Sequence, residues 1–193
     1  NEDIAIARSL PNMTVLVPGD YQESKAATRA AAAFDGPVYL RFGRDVYPVV
    51  EEIHGDFTIG RAKMLRDGDD VSLVTTGIMV SEGLRAAEDL RARGHSARVI
   101  HVPTVKPLDE AVLLDAARET RGLVTVEEHS ILGGLGEAVA GFVAERHPAP
   151  VRRVGIRDVF GQSGQAPELL DLYGLRATNV VEQALWILEG GAP

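Results

Sequence analysis

The sequence predicts an α/β protein: a three-layer helix–sheet–helix C-terminal domain with a mostly parallel sheet, preceded by a fragment of a second α/β domain. Three observations carry that reading. From residue 57 onward, short β-branched runs alternate with segments of helical period, the order that strand–helix–strand crossovers require. Glycines stand where helices must stop, at Gly94 and Gly122. Residues 45–56 break the pattern with Pro48, paired glutamates and His54-Gly55-Asp56, which places a domain boundary there. The domains are then 1–50 and 57–193.

Asn1-Glu2-Asp3 would cap a helix with Ile4, Ala7 and Leu10 on one side, since acidic residues suit the positive end of a helix dipole. Pro11-Asn12 stops it. Met13-Thr14-Val15-Leu16-Val17 reads as a buried strand ended by Pro18-Gly19-Asp20, and residues 22–34 as an Ala-rich helix closed by Asp35-Gly36-Pro37. Val38-Tyr39-Leu40-Arg41-Phe42 is a second strand. Gly43-Arg44-Asp45 sits at its C-terminal end, where open parallel sheets bind ligands.

Residues 57–65 read as a strand turned by Arg66-Asp67-Gly68-Asp69 into Val71-Ser72-Leu73-Val74-Thr75, because Asp-Gly between apolar alternations predicts a hairpin. The next helix puts Val80, Leu84, Ala87 and Leu90 inward and its charges outward. Residues 97–102 form a strand, and Pro103, Pro107 and Asp109 turn into a helix whose apolar side holds Val112, Leu113, Ala116 and Ala117. Residues 123–126 climb as a strand to Glu127-Glu128-His129, then Gly133-Gly134 opens a helix to about residue 146. Residues 151–156 are the last strand. A polar loop, Phe160-Gly161-Gln162-Ser163-Gly164, precedes terminal helices at 167–173 and 178–189, the second capped by Thr178-Asn179.

The composition sets bounds on function. The 193 residues are 45% hydrophobic and 25% charged, ordinary for a globular chain able to bury a core without staples. The absence of cysteine excludes disulfides, thiolate zinc sites and a cysteine nucleophile, and reducing, cytoplasmic surroundings are the natural reading. With 20 basic and 28 acidic residues the net charge is −8, and no basic stripe with aromatics appears, so nucleic acid is not the expected partner. No apolar run approaches the roughly 18 residues of a membrane span. A helical pattern beginning at once on Asn1 reads as a piece of a larger polypeptide.

Gly133-Gly134-Leu135-Gly136 lies where a phosphate could meet helix amides, yet it is not Gly-x-Gly-x-x-Gly and no P-loop lysine follows. A tight turn and close helix–sheet packing explain it better. Glu127, Glu128 and His129 could serve as acid, base or ligands. Adjacent strand residues alternate faces, which favours a structural or interface role over convergence on one metal. The histidines at 54, 95, 101, 129 and 147 lack ligand spacing, and Ser163 lacks the nucleophile-elbow pattern. Arg41 and Arg44, three apart beside Gly43, can present planar forks to a phosphate or carboxylate; the alternative is a surface ion pair such as Arg44 with Asp45. No self-sufficient active site emerges.

Taken together, Glu2-Asp3-Ile4-Ala5, Arg8-Ser9-Leu10-Pro11-Asn12-Met13, Pro37-Val38-Tyr39-Leu40-Arg41-Phe42-Gly43-Arg44, Val105-Lys106-Pro107-Leu108-Asp109, the Glu127–Gly136 motif and Phe160-Gly161-Gln162-Ser163-Gly164 with Pro167-Glu168-Leu169-Leu170 resemble the C-terminal part of transketolase-type enzymes. The split transketolases, whose C-terminal subunit is a separate polypeptide, are most similar. The motifs are also similar to deoxyxylulose-phosphate synthase and to 2-oxoacid dehydrogenase beta subunits.

The resemblance implies that residues 1–50 end a pyrimidine-binding domain and residues 57–193 form the transketolase C-terminal domain. It implies transfer of a two-carbon ketol unit between sugar phosphates. Thiamine diphosphate and Mg²⁺ would be held by partner domains rather than by this chain. The implied partners are an N-terminal diphosphate-binding subunit and the rest of the pyrimidine domain, in a homodimer or heterotetramer. The family arginine that grips the sugar phosphate aligns with Arg44, with Arg41 a second candidate, and no catalytic role falls on Glu127, Glu128 or His129. The competing reading is a non-catalytic dimerisation or scaffold module.

Overall fold

The computed structural model describes residues 1–45 and 47–191. The elements are α1 (Asp3–Ser9), β1 (Thr14–Leu16), α2 (Tyr21–Ala33), β2 (Val38–Leu40), β3 (Lys63–Arg66), β4 (Val71–Thr75), α3 (Val80–Ala92), β5 (Ala97–His101) and β6 (Thr104–Lys106). They continue as α4 (Glu110–Glu119), β7 (Leu123–Ser130), α5 (Leu135–Arg146), β8 (Val151–Ile156), α6 (Ala166–Leu172) and α7 (Ala177–Leu188).

A five-stranded sheet runs β3-β5-β4-β7-β8, parallel throughout except for β3, which pairs antiparallel with β5. Its central strands are buried on both faces, so their apolar side chains sort by alternation. Leu73, Val99, Val124 and Val126 pack with α3 and α7 on one side. Val74, Ile100 and Leu123 pack with α4 and α5 on the other. The predicted three layers are present.

Strand β1 is the centre of a second, three-stranded sheet, parallel to β2 and antiparallel to β6. Strand β6 comes from the later part of the chain and stitches the two sheets together. Ile4 and Ala7 of α1 and Val15 of β1 accordingly share one apolar cluster with Leu113 of α4 and Leu135 of α5. The N-terminal elements are anchored in the same core as the larger sheet.

Five local expectations need correcting. The Asp67-Gly68 turn does not close a hairpin, because β5 lies between β3 and β4. A side chain at Gly68 would stand 2.5 Å from the carbonyl carbon of Ala97, so the turn is pressed against the start of β5 and delivers β3 to that strand. The strand predicted at 57–65 is confined to Lys63–Arg66. Residues 104–106, read as turn, are strand β6. Helix α1 has no side-chain cap of its own, and α7 begins after Arg176, whose amide donates to the Asn179 side chain at 3.2 Å.

Candidate functional site

Strand β2 ends at Leu40, and the two arginines beyond it meet different fates. Arg41 turns inward, with only 16% of its side chain exposed. Its Nε donates to Asp3 Oδ2 at 3.0 Å, its Nη1 to Glu128 Oε2 at 3.0 Å and its Nη2 to the Glu128 carbonyl at 3.1 Å. Burial alone would lower its pKa, but Glu128 and Asp3 outweigh that and raise it. Arg44 points outward. It is exposed and makes no hydrogen bond or ion pair to another described residue.

Gly43 and Asp45, on either side of Arg44, line a cleft of about 670 Å³. Its other wall is the outer face of α2, where Tyr21, Ser24, Lys25, Thr28 and Arg29 follow helical spacing, and Phe42 and Tyr47 contribute aromatic surface. Lys25 sits 4.8 Å from the centroid of the Tyr21 ring. Cations, hydroxyls and rings around one open cleft can orient a polar, anionic small molecule.

Behind the cleft floor lies a polar cluster that sequence reasoning missed. Asp20 caps α2 through the Glu23 amide at 2.9 Å, accepts from the Val50 amide at 3.0 Å and meets His54 Nε2 at 2.7 Å. Burial would raise the Asp20 pKa, but these bonds outweigh it and lower it. Glu23, fully buried, accepts from the Gly19 amide at 2.7 Å and meets His101 Nε2 at 2.7 Å, with Lys63 Nζ 3.7 Å away. The available signal was a carboxylate one turn from Ala27 on the apolar stripe of an Ala-rich helix. Such a group needs a buried partner.

The Glu127-Glu128-His129 motif stands at the C-terminal end of a strand, but inside it rather than after residue 126. Strand β7 runs on through Ser130, and all three residues are bonded. Glu127 is fully buried and caps α5, accepting from the amides of Leu135 at 2.7 Å and Gly136 at 2.8 Å. Burial pushes its carboxyl up to about 7 against those stabilising bonds. His129 donates from Nδ1 to the Ser130 carbonyl at 2.7 Å and accepts at Nε2 from the amides of Ile4 at 3.2 Å and Ala5 at 3.4 Å. Both ring nitrogens are thereby committed in the neutral form, and burial lowers the pKa. The imidazole supplies the cap that α1 lacks.

The glycines explain themselves by contact. A Cβ at Gly134 would fall inside the Glu127 carboxylate, with His129 Nδ1 2.8 Å away, and one at Gly136 would stand 2.6 Å from Thr125 Oγ1. Gly133 has φ +73° and lies against Ala5. Arg8 of α1 donates to the carbonyls of Gly133 and Gly134. This edge is a seat for α1.

Among the described residues no three His, Asp or Glu side chains are grouped to hold a metal ion. Among the described residues no helix is long and apolar enough to cross a membrane.

Comparison with known proteins meets this geometry. Residues 60–180 match the family described as transketolase, C-terminal domain, and residues 1–50 match the transketolase pyrimidine binding domain. The chain is 46% identical over 186 residues to a transketolase family protein of Sinorhizobium fredii, covering 94% of this chain and 54% of that protein. It is 44% identical over 188 residues to a 6-deoxy-6-sulfo-D-fructose transketolase subunit of Clostridium sp., covering 97% of this chain and 58% of that one. A solved split-gene transketolase, described as an inactive beta4 tetramer, superposes with a TM-score of 0.93 at 45% identity, over 97% of this chain and 62% of its own. The chain thus spans little more than half the length of these curated relatives, and it belongs to the transketolase family, of which it represents the C-terminal part.

Proposed function

We propose that this chain is the C-terminal part of a cytoplasmic transketolase-like enzyme that moves a two-carbon ketol unit between sugar phosphates. In this reading residues 1–50 end the pyrimidine-binding domain and 57–193 form the C-terminal domain. Thiamine diphosphate and Mg²⁺ are carried by partner domains, in a dimer or heterotetramer with an N-terminal diphosphate-binding subunit. The cofactor supplies the carbanion chemistry. This chain supplies a grip on the substrate's far end.

One observation supports that role above the rest: Arg44 is exposed beside a cleft and paired with no other described residue, while Arg41, three residues earlier, has its guanidinium committed to protein. A guanidinium can meet a phosphate with two parallel bonds. Gripped far from the reacting carbon, the phosphate lends binding energy that orients the sugar.

The test is Arg44→Ala in the chain assembled with its complementary subunit. KM for a phosphorylated donor should rise roughly 30-fold, as expected for losing a charge-assisted bidentate contact, with little change for a non-phosphorylated ketol donor. Equal loss on both donors would remove the phosphate role. A well-folded assembly without ketol transfer would favour a non-catalytic scaffold.

A further inference from the structure

The two arginines after β2 are coupled by geometry, and the coupling reaches into the larger sheet. Arg41 is held at three points: Asp3 of α1, the Glu128 carboxylate and the Glu128 carbonyl, both on β7. Its bond to Asp3 is supported by Tyr39, whose hydroxyl donates to the same oxygen at 2.8 Å. The backbone at Arg41 is itself fixed, since its amide donates to the Leu16 carbonyl of β1 at 2.9 Å. Beyond it, Gly43 lies against the Tyr47 ring, and a Cβ there would stand 3.1 Å from Tyr47 Cδ2. Arg44 follows directly on the second of these anchors.

We infer that Glu128, acting through Arg41, and Tyr47, acting through Gly43, are positioning residues that aim the Arg44 guanidinium at the substrate phosphate. The inference rests on the phosphate-gripping role proposed for Arg44 and assigns the larger domain a part in substrate recognition. An exposed arginine has many rotamers, and bidentate recognition needs one direction. Fixing the backbone that leads into Arg44 restricts where its side chain begins. Glu128 achieves this from 87 residues away in sequence, so β7 and the substrate loop act as one unit.

A role exerted through Arg44 must disappear when Arg44 is absent. The experiment is therefore a double-mutant cycle in the assembled enzyme, with phosphorylated and non-phosphorylated ketol donors. Glu128→Ala should raise KM for the phosphorylated donor roughly tenfold while kcat changes less than about twofold, the pattern of lost uniform binding. Glu128→Gln keeps an acceptor oxygen for Arg41 and should restore most of that loss. In an Arg44→Ala background, Glu128→Ala should cost nothing further.

Tyr47→Leu is the second variant, outside strand β7 itself, and should show the same donor dependence if Glu128→Ala fails to fold. Additive effects of Glu128 and Arg44, or equal losses on both donors, would overturn the inference while leaving Arg44's own role standing. An Arg44→Ala enzyme with unchanged KM for both donors would overturn both.

Discussion

The Glu127–Gly136 edge and the Gly43–Asp45 turn are opposites in sequence and in structure. The first concentrates two carboxylates, an imidazole and three glycines within ten residues. The second holds one glycine and one arginine of note. In the fold the rich stretch is closed: Glu127 caps α5, Glu128 pairs with Arg41, and His129 caps α1. The plain one leaves its guanidinium in solvent beside a cleft. Chemical potential in a motif is therefore no guide to chemical availability. A side chain whose donors and acceptors are all engaged inside the protein has none left for a ligand.

The largest effect that could break this contrast is at Gly134. Alanine there must displace the Glu127 carboxylate from two amides and press on His129. Gly134→Ala should cost about 3 kcal/mol, at the upper end of overpacking effects because a buried acceptor is moved as well. Its control is Gly141→Ala on the same helix, where a Cβ meets nothing within 4 Å. That change should stabilise by roughly 0.7 kcal/mol through helix propensity. Chemical denaturation of both variants checks the pair. A similar cost at both sites would mean that the edge is loosely packed.

Two arginines sharpen the comparison at smaller scale. Arg8→Ala removes the bonds to the Gly133 and Gly134 carbonyls and packing at the α1 seat, and should cost about 1.5 kcal/mol. Arg44→Ala should stay within about 0.5 kcal/mol of the parent, as exposed positions usually do. A measurably destabilised Arg44→Ala variant would show that the turn depends on this side chain for its fold.

The sequence carried the layers because strands buried on both faces need continuous β-branched runs and helices need an apolar stripe. Val71–Thr75 and Val80–Ala92 display those patterns without help from the rest of the chain. Strand β6 was hidden for the opposite reason. Three residues between Pro103 and Pro107 have no periodicity, and their pairing comes from β1, about 90 positions earlier. The same distance hid the partners of Asp20 and Glu23, since His54 and His101 lie 34 and 78 residues away. Arg41 and Arg44 were equivalent as letters. The approach of Glu128 from β7 and of Asp3 from α1 separates the one that is consumed from the one that stays exposed.

The smallest expected effect concerns the protons at the β7 edge, where two titrations oppose each other. Burial lowers the His129 pKa from 6.5, so its contribution is full above pH 6.5 and is lost as pH falls toward the folded value. Burial raises Glu127 from 4.5 to about 7, so its contribution is full below pH 4.5 and is lost as pH rises through about 7. Between pH 4.5 and 6.5, acidification therefore weakens the His129 side and strengthens the Glu127 side. Asp3 and Arg41 face the imidazole with opposite signs, and Glu127 stands 3.8 Å from Nδ1. His129→Gln isolates the two, because a glutamine oxygen can accept from Ile4 and Ala5 without titrating. Wild type should be the more stable near neutral pH, where the ring fits its seat better. The difference in Tm should then shrink steadily as pH falls toward about 5, within the range where histidine changes charge. A difference that stays constant over that range would mean His129 binds its proton equally in the folded and unfolded chains, and α1 would then be held mainly by Arg8 and the apolar contacts of Ile4 and Ala7.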